Sequence, residues 1–261
     1  MEEKAMCRAN FIIRNMNGDE IHSVDEWFKY APPKMGIRHW KDKRSAKEVA
    51  KAWIGTGKPV MPIKLKSVLD THQFTKDFYP DWVIPEMITA LDNFKGEHRN
   101  QDLGILGASL EGKVFISVEA KADEPFDKMI SMQISNAKEG SKIPARIEGF
   151  SKAIFGRPVD DRIGQLKYQL LTGLAGALIE AKSQNADYAV FIVHEFISRS
   201  LDAKKLSRNS DDFQMFFEEL TEISGLNYGD GKLHEIKSVP GGEFVPAGMP
   251  LLSGKIQTQL T

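Results

Sequence analysis

DLGILGASLEGKVFISVEAK, residues 102–121, is the stretch that decides the fold. In its second half Val114, Ile116, Val118 and Ala120 alternate with Phe115, Ser117, Glu119 and Lys121. Side chains two apart in a strand point the same way, so Glu119 and Lys121 share a face opposite the Val/Ile stripe. Asp102 to Leu110 reads as a partner strand, with Glu111-Gly112 as a two-residue turn closing a hairpin. That turn sets Asp102 opposite Lys121 and Gly104 opposite Glu119, and the three charged side chains then converge within about 5–8 Å at the hairpin's open end. A slip of one residue would send Asp102 to the other face, and Gly104 and Gly107 offer places for a bulge.

Working outward from the hairpin, Pro85 fits the first position of a helix carrying Glu86, Ile88, Leu91 and Phe94, stopped by Gly96. Val60 to Leu69 reads as strand or extended chain, interrupted by Pro62. Nearer the N-terminus, Ser23-Val-Asp-Glu26 and Ser45-Ala-Lys-Glu48 are capping-box patterns, the second opening a helix to about Ile54. Between these helices lies a basic loop, Lys34 to Arg44. Downstream, Asp160 or Asp161 caps a long helix with Ile163, Leu166, Leu170, Leu174 and Leu178 at helical spacing. Gly164, Gly173 and Gly176 inside it imply close packing. YAVFIVHEFI, residues 188–197, is a buried strand, followed by a helix from about Asp211 to Ile223 and a Gly/Pro-rich tail from Pro240. The pattern is one mixed α/β unit, with residues 1–84 as a basic helical extension on a core of 85–261.

Composition agrees with an ordinary globular chain: 261 residues, 41% hydrophobic, 27% charged. The single cysteine, Cys7, rules out an internal disulfide and C-x-x-C zinc or redox sites. No apolar run approaches the roughly 20 residues of a membrane span, and no signal-peptide pattern opens the chain, so a cytoplasmic protein is expected. The net charge of −1 conceals an asymmetry, since Lys34 to Lys66 holds ten Lys/Arg against Asp42 and Glu48. Such a segment suits a polyanionic partner or a solvated helix face.

Two partly buried carboxylates this close repel, and a divalent cation is their natural neutraliser; hard oxygen ligands favour Mg²⁺, with Mn²⁺ as substitute. An adjacent lysine can orient an attacking water and stabilise charge growing on a phosphoryl oxygen. The plain alternative is a surface cluster of weak ion pairs. Competing motifs fail on spacing. Gly107-Ala-Ser-Leu-Glu-Gly112 misses the nucleophile elbow, Gly55-Thr-Gly-Lys58 lacks the length of a P-loop, and the six histidines show no zinc spacing.

At Asp102-Leu-Gly-Ile, the hairpin and Glu119-Ala-Lys121, followed by a long helix and buried strand, the chain resembles the PD-(D/E)XK nuclease superfamily and its restriction endonuclease-like fold. The likeness covers roughly Pro85 to Ser198. The N-terminal segments HSVDEWFKYAPPK and HWKDKRSAKE resemble an uncharacterised bacterial protein family. The superfamily resemblance implies Asp102 and Glu119 as metal ligands with the Ala120 carbonyl, Lys121 as catalytic lysine, Glu86 as a further acidic ligand from a preceding helix, and Gln165 with Tyr168 as helix-borne support. It implies a mixed sheet flanked by helices and a Mg²⁺-dependent nuclease, with DNA the expected substrate and room for a homodimer. Lys34, Arg38, Lys41, Lys43 and Arg44 would then contact phosphates, and Trp40 would stack on a base. The rival is a catalytically inactive relative that keeps the fold to bind nucleic acid or protein.

Overall fold

The computed structural model describes residues 11–55, 57–94, 98–199, 202–229, 231–236 and 238–260; Cys7 and Gly96 lie outside these. Strand β1 (Ile12–Ile13) precedes helices α1 (Val24–Tyr30), α2 (Ser45–Trp53) and α3 (Ile63–Leu69). The meander β2 (Tyr79–Thr89), β3 (Arg99–Ala108) and β4 (Lys113–Lys121) follows, then α4 (Ile130–Ser135), α5 (Ile143–Phe155), α6 (Asp161–Gln165) and α7 (Tyr168–Ser183). The chain ends with β5 (Tyr188–Ser198), α8 (Ala203–Thr221), β6 (Leu233–Ile236) and β7 (Leu251–Leu260). The seven strands form one mixed sheet in the order β1-β2-β3-β4-β5-β7-β6. β4, β5 and β7 run parallel, and β2-β3-β4 and β6-β7 pair antiparallel.

Each face of the sheet carries its own core. Trp27, Trp53 and Leu65 of the first three helices pack with Val118, Ile116 and Ile192 on one face. Phe150, Leu170, Leu174 and Phe216 of the later helices pack with Phe115, Phe191 and Val193 on the other. The alternation along β4 thus sends the Val/Ile stripe to the N-terminal helices and Phe115, Ser117, Glu119 and Lys121 to the C-terminal ones. Ser23 caps α1, accepting from the Glu26 N–H at 3.1 Å. Arg44 and not Ser45 stands at the N-cap position of α2 and gives no side-chain cap, and Glu48 accepts from the Lys43 N–H at 2.7 Å.

Several elements differ from their sequence pattern. The hairpin turn spans four residues, Ser109 to Gly112, because Ala108 pairs with Lys113 and Leu103 with Val118. The register is therefore two residues from that of a Glu111-Gly112 turn. The glycines of β3 mark close approach instead of a bulge: a Cβ on Gly107 would lie 2.1 Å from the Tyr79 carbonyl. The bulge lies across the ladder, between Pro80 and Trp82.

The helix expected from Pro85 is the second half of β2. β1 pairs only with Trp82 and Val83, so a proline, which has no N–H to give, is tolerated on the unpaired edge beyond them. Residues 63–69 are helical where an extended segment was expected. The long helix is two, broken where Leu166 turns extended (ψ 159°) and Lys167 bridges to Met129. α8 starts eight residues before the expected Asp211, and the tail after Pro240 ends in β7, which lies inside the sheet between β5 and β6. Among the described residues no helix is long and apolar enough to cross a membrane.

Candidate active site

β4 ends in Glu119, Ala120 and Lys121. Glu119 is 1% and Lys121 4% exposed, which excludes a loose surface cluster. The Lys121 Nζ donates to Glu119 Oε1 at 2.5 Å. Continuing the β3–β4 register past Leu103 and Val118 sets Asp102 opposite Glu119, and Asp102 Oδ2 accepts the Ala120 N–H at 2.7 Å. The N–H and C=O of one strand residue point to the same side, so the Ala120 carbonyl also faces β3. Glu86 brings a third carboxylate, from β2 instead of a helix. Its neighbours pair as Pro85 with Leu103 and Met87 with Gln101, which puts Glu86 opposite Asp102. Its φ of +49° is left-handed, a conformation that costs a non-glycine residue free energy. Asn100 donates to it.

Arg99 was not singled out by the sequence. Its guanidinium donates to Glu119 Oε2, and its side chain is 12% exposed. Gly173 and Gly176 of α7 lie in ordinary contact range of it, a Cβ on Gly173 falling 3.6 Å from Arg99 Nη2 and one on Gly176 3.5 Å from its Cγ, while the close approach at Gly173 is to the Phe191 ring, 2.8 Å from such a Cβ. Gln165 does not reach Glu119. It is exposed on α6 and lines a separate recess with Arg157 and Glu218. The glutamine at the site is Gln169, in the first turn of α7, donating to Glu119 Oε1 at 2.5 Å. The break before Tyr168 makes this exchange, because a helix running unbroken from Asp161 would not have set Gln169 on a first turn.

Charge is unevenly distributed over the cluster. Burial alone would raise the pKa of Glu119, but Lys121 and Arg99 outweigh it and hold Glu119 below the ordinary range. Burial and then repulsion from Glu119 push Asp102 up to about 7. Burial and then repulsion from Asp102 raise Glu86 to about 8. The Asp102–Glu86 side of the site is thus short of positive charge. Two buried oxygens there accept no hydrogen bond, Asn100 Oδ1 and Glu124 Oε2, the second lying 4.0 Å from Arg44 Nη1. Orphaned atoms of this kind mark places where water or an ion belongs.

The carboxylates of Asp102 and Glu86 and the Ala120 carbonyl are hard oxygen donors and fit Mg²⁺ or Mn²⁺. Glu119 completes the set only by sharing oxygens already engaged by Lys121, Arg99 and Gln169. Among the described residues no three His, Cys, Asp or Glu side chains already form a metal-binding group.

A recess of about 180 Å³ opens on this side, lined by Lys34, His39, Arg44, Glu86, Asn100 and Asp102 among others. Lys34 is therefore at the site. Arg44 lies beside it, paired with Asp123 at 2.7 Å. Arg38, Lys41 and Lys43 are exposed on the same loop. Trp40 is not available to stack on a base: it is 9% exposed and packs against Phe28, ring centroids 5.2 Å apart. His194 is a core residue, its Nε2 2.9 Å from Thr258 Oγ1.

The model of a family described as a domain of unknown function, DUF6946, matches residues 20–260, and the chain belongs to that family. No curated protein and no solved structure matches it.

Proposed function

We propose that this DUF6946 protein is a Mg²⁺-dependent nuclease with a restriction endonuclease-like core, hydrolysing phosphodiester bonds, with DNA the expected substrate. The observation that carries the reading is the meeting of Asp102 of β3 with Glu119 and Lys121 at the end of β4, with the Ala120 backbone held by Asp102. Bound at Asp102, Glu86 and the Ala120 carbonyl, with Glu119 sharing, the ion would polarise a phosphoryl oxygen and make water more acidic. Lys121 donates to an attacking water or to the phosphoryl oxygen on which charge grows. Gln169 and Arg99 fix the orientation of Glu119, and Lys34 and Arg44 at the mouth attract the polyanion. Water adds to phosphorus, the bond to the ester oxygen breaks, and the proton lost by the water ends on the departing alkoxide.

One observation favours the rival, a nuclease-fold protein that binds without cutting: Glu119 already has three donors on its two oxygens. Glu119→Gln and Lys121→Ala separate the two readings. Each is expected to lower metal-dependent cleavage of plasmid, linear and single-stranded DNA by about 10³-fold or more, with circular dichroism unchanged. Cleavage surviving in both purified variants, or absent from the wild type with Mg²⁺ and with Mn²⁺, would remove the nuclease reading.

A further inference from the structure

Beside Glu119, away from the Asp102 recess, lies a larger cleft of about 700 Å³. Its cationic lining comes from three parts of the chain: Lys34 from the N-terminal loop, Arg99 from the start of β3, and Lys142 and Arg146 at the start of α5, Arg146 being paired with Asp92. His98 adds a ring, and Asp127 is the one acidic residue of the lining among the described residues. The first turns of α5 and α7 both border it, so the positive ends of two helices add to the side-chain charge. Tyr168 supplies a half-buried aromatic wall.

The cleft is joined to the site by shared residues. Arg99 and Gln169 line it and also hold Glu119, and Lys34 and Asn100 line both recesses. An anion seated here would lie next to the reacting centre. Cavities of roughly 300–1,000 Å³ enclose one small organic molecule, so a single nucleotide enters where a duplex cannot.

Resting on the nuclease reading, we propose that this cleft binds one unpaired nucleotide of the substrate strand, its phosphate against Arg99 and Lys142 and its base against Tyr168. The substrate is then nucleic acid with a single-stranded end, gap or displaced base, in preference to an intact duplex. Aromatic walls take any base by its face, so the preference is for the unpaired state and not for sequence.

The test is fluorescence anisotropy with the full chain and Ca²⁺ in place of Mg²⁺, using a labelled blunt duplex and the same duplex with a short single-stranded overhang. The overhang should bind about tenfold tighter, a ratio that reads directly as a difference in binding free energy. Lys142 is exposed, so Lys142→Glu leaves the fold intact. It should erase most of that preference and make the salt slope of overhang binding shallower by about 0.7, with the blunt duplex nearly unaffected. Equal affinity for both probes, or an unchanged preference and slope in Lys142→Glu, would overturn the assignment. Overhang preference without metal-dependent cleavage of either probe would keep the cleft and retire the nuclease; cleavage without overhang preference would do the reverse.

Discussion

Two buried carboxylate–lysine pairs sit on the same face of the sheet, and they differ in what surrounds them. Glu119 and Lys121 end β4. One strand along, Glu195 of β5 lies opposite Lys121 and pairs at 3.3 Å with Lys255 of β7, which lies opposite Val193. Both pairs are about equally dry, with Glu195 and Lys255 at 3% and 4% exposure. The second is closed on itself: Gln257 donates to Glu195 at 2.9 Å, and Lys255 donates to Ser210 at 2.5 Å. The first borders two recesses, carries two extra carboxylates and leaves buried polar atoms without partners. Burial of an ion pair therefore does not by itself mark a site. What marks one is surplus charge of one sign next to a cavity.

The largest expected contrast is in stability. Glu195→Gln leaves the Lys255 charge buried without a counter-ion and should cost about 3–5 kcal/mol in urea unfolding, while cleavage per folded molecule stays at the wild-type level. A Glu195→Gln protein that melted normally but failed to cut would place Glu195 in the site and erase the distinction. At the other pair the sign reverses. Asp102→Asn removes a carboxylate that burial and Glu119 disfavour, and Asn Oδ1 can still accept the Ala120 N–H. The metal-free variant should gain about 1 kcal/mol while losing activity, the usual exchange of function for stability. In the wild type, about 10 mM Mg²⁺ acting on a millimolar site should add about 1.4 kcal/mol. Equal Mg²⁺ shifts in wild type and Asp102→Asn would put the ion elsewhere.

The smallest effect sharpens the closed half. His194, next to Glu195 on β5, is pushed down to about 3 by burial, against 6.5 for a free imidazole. Between those values the unfolded chain binds a proton that the folded protein refuses, so stability is full above pH 6.5 and falls as the pH drops. The loss is about 0.8 kcal/mol near pH 6 and steepens toward about 1.4 kcal/mol per unit below it. His194→Asn should flatten this acid limb, measured as unfolding free energy against pH. An identical limb in both proteins would assign it to other groups.

The faces of β4 were legible because alternation has period two. For the same reason an error of two residues in the turn did no harm to the site: Asp102 moved from opposite Lys121 to opposite Glu119 and stayed on the same face. Positions that depend on breaks in regular structure were not legible. Gln169 takes the place assigned to Gln165 because the helix is interrupted at Leu166, and nothing in the local apolar spacing announces that break. Arg99 lies three residues before Asp102, where the strand pattern begins, and the close neighbour that Gly173 implies is the Phe191 ring and not Arg99. β2 read as a helix because Pro85 suits a helix start as well as an edge strand. β7 was hidden by Gly254 and Lys255, polar or small residues in a strand whose buried lysine is satisfied only by partners distant in sequence.

The left-handed Glu86 beside Pro85 also bears on edge-to-edge pairing of the sheet. On the side of β2 that faces β1, no described strand pairs beyond Val83, and an unpaired strand edge is a template on which a second chain can add itself. Proline offers that newcomer no N–H at position 85, and the positive φ at 86 turns the next peptide out of line with an incoming strand. Replacing Pro85 and Glu86 with strand-forming residues should straighten that edge and favour edge-to-edge assembly, so one kink aims a carboxylate inward and disfavours strand addition.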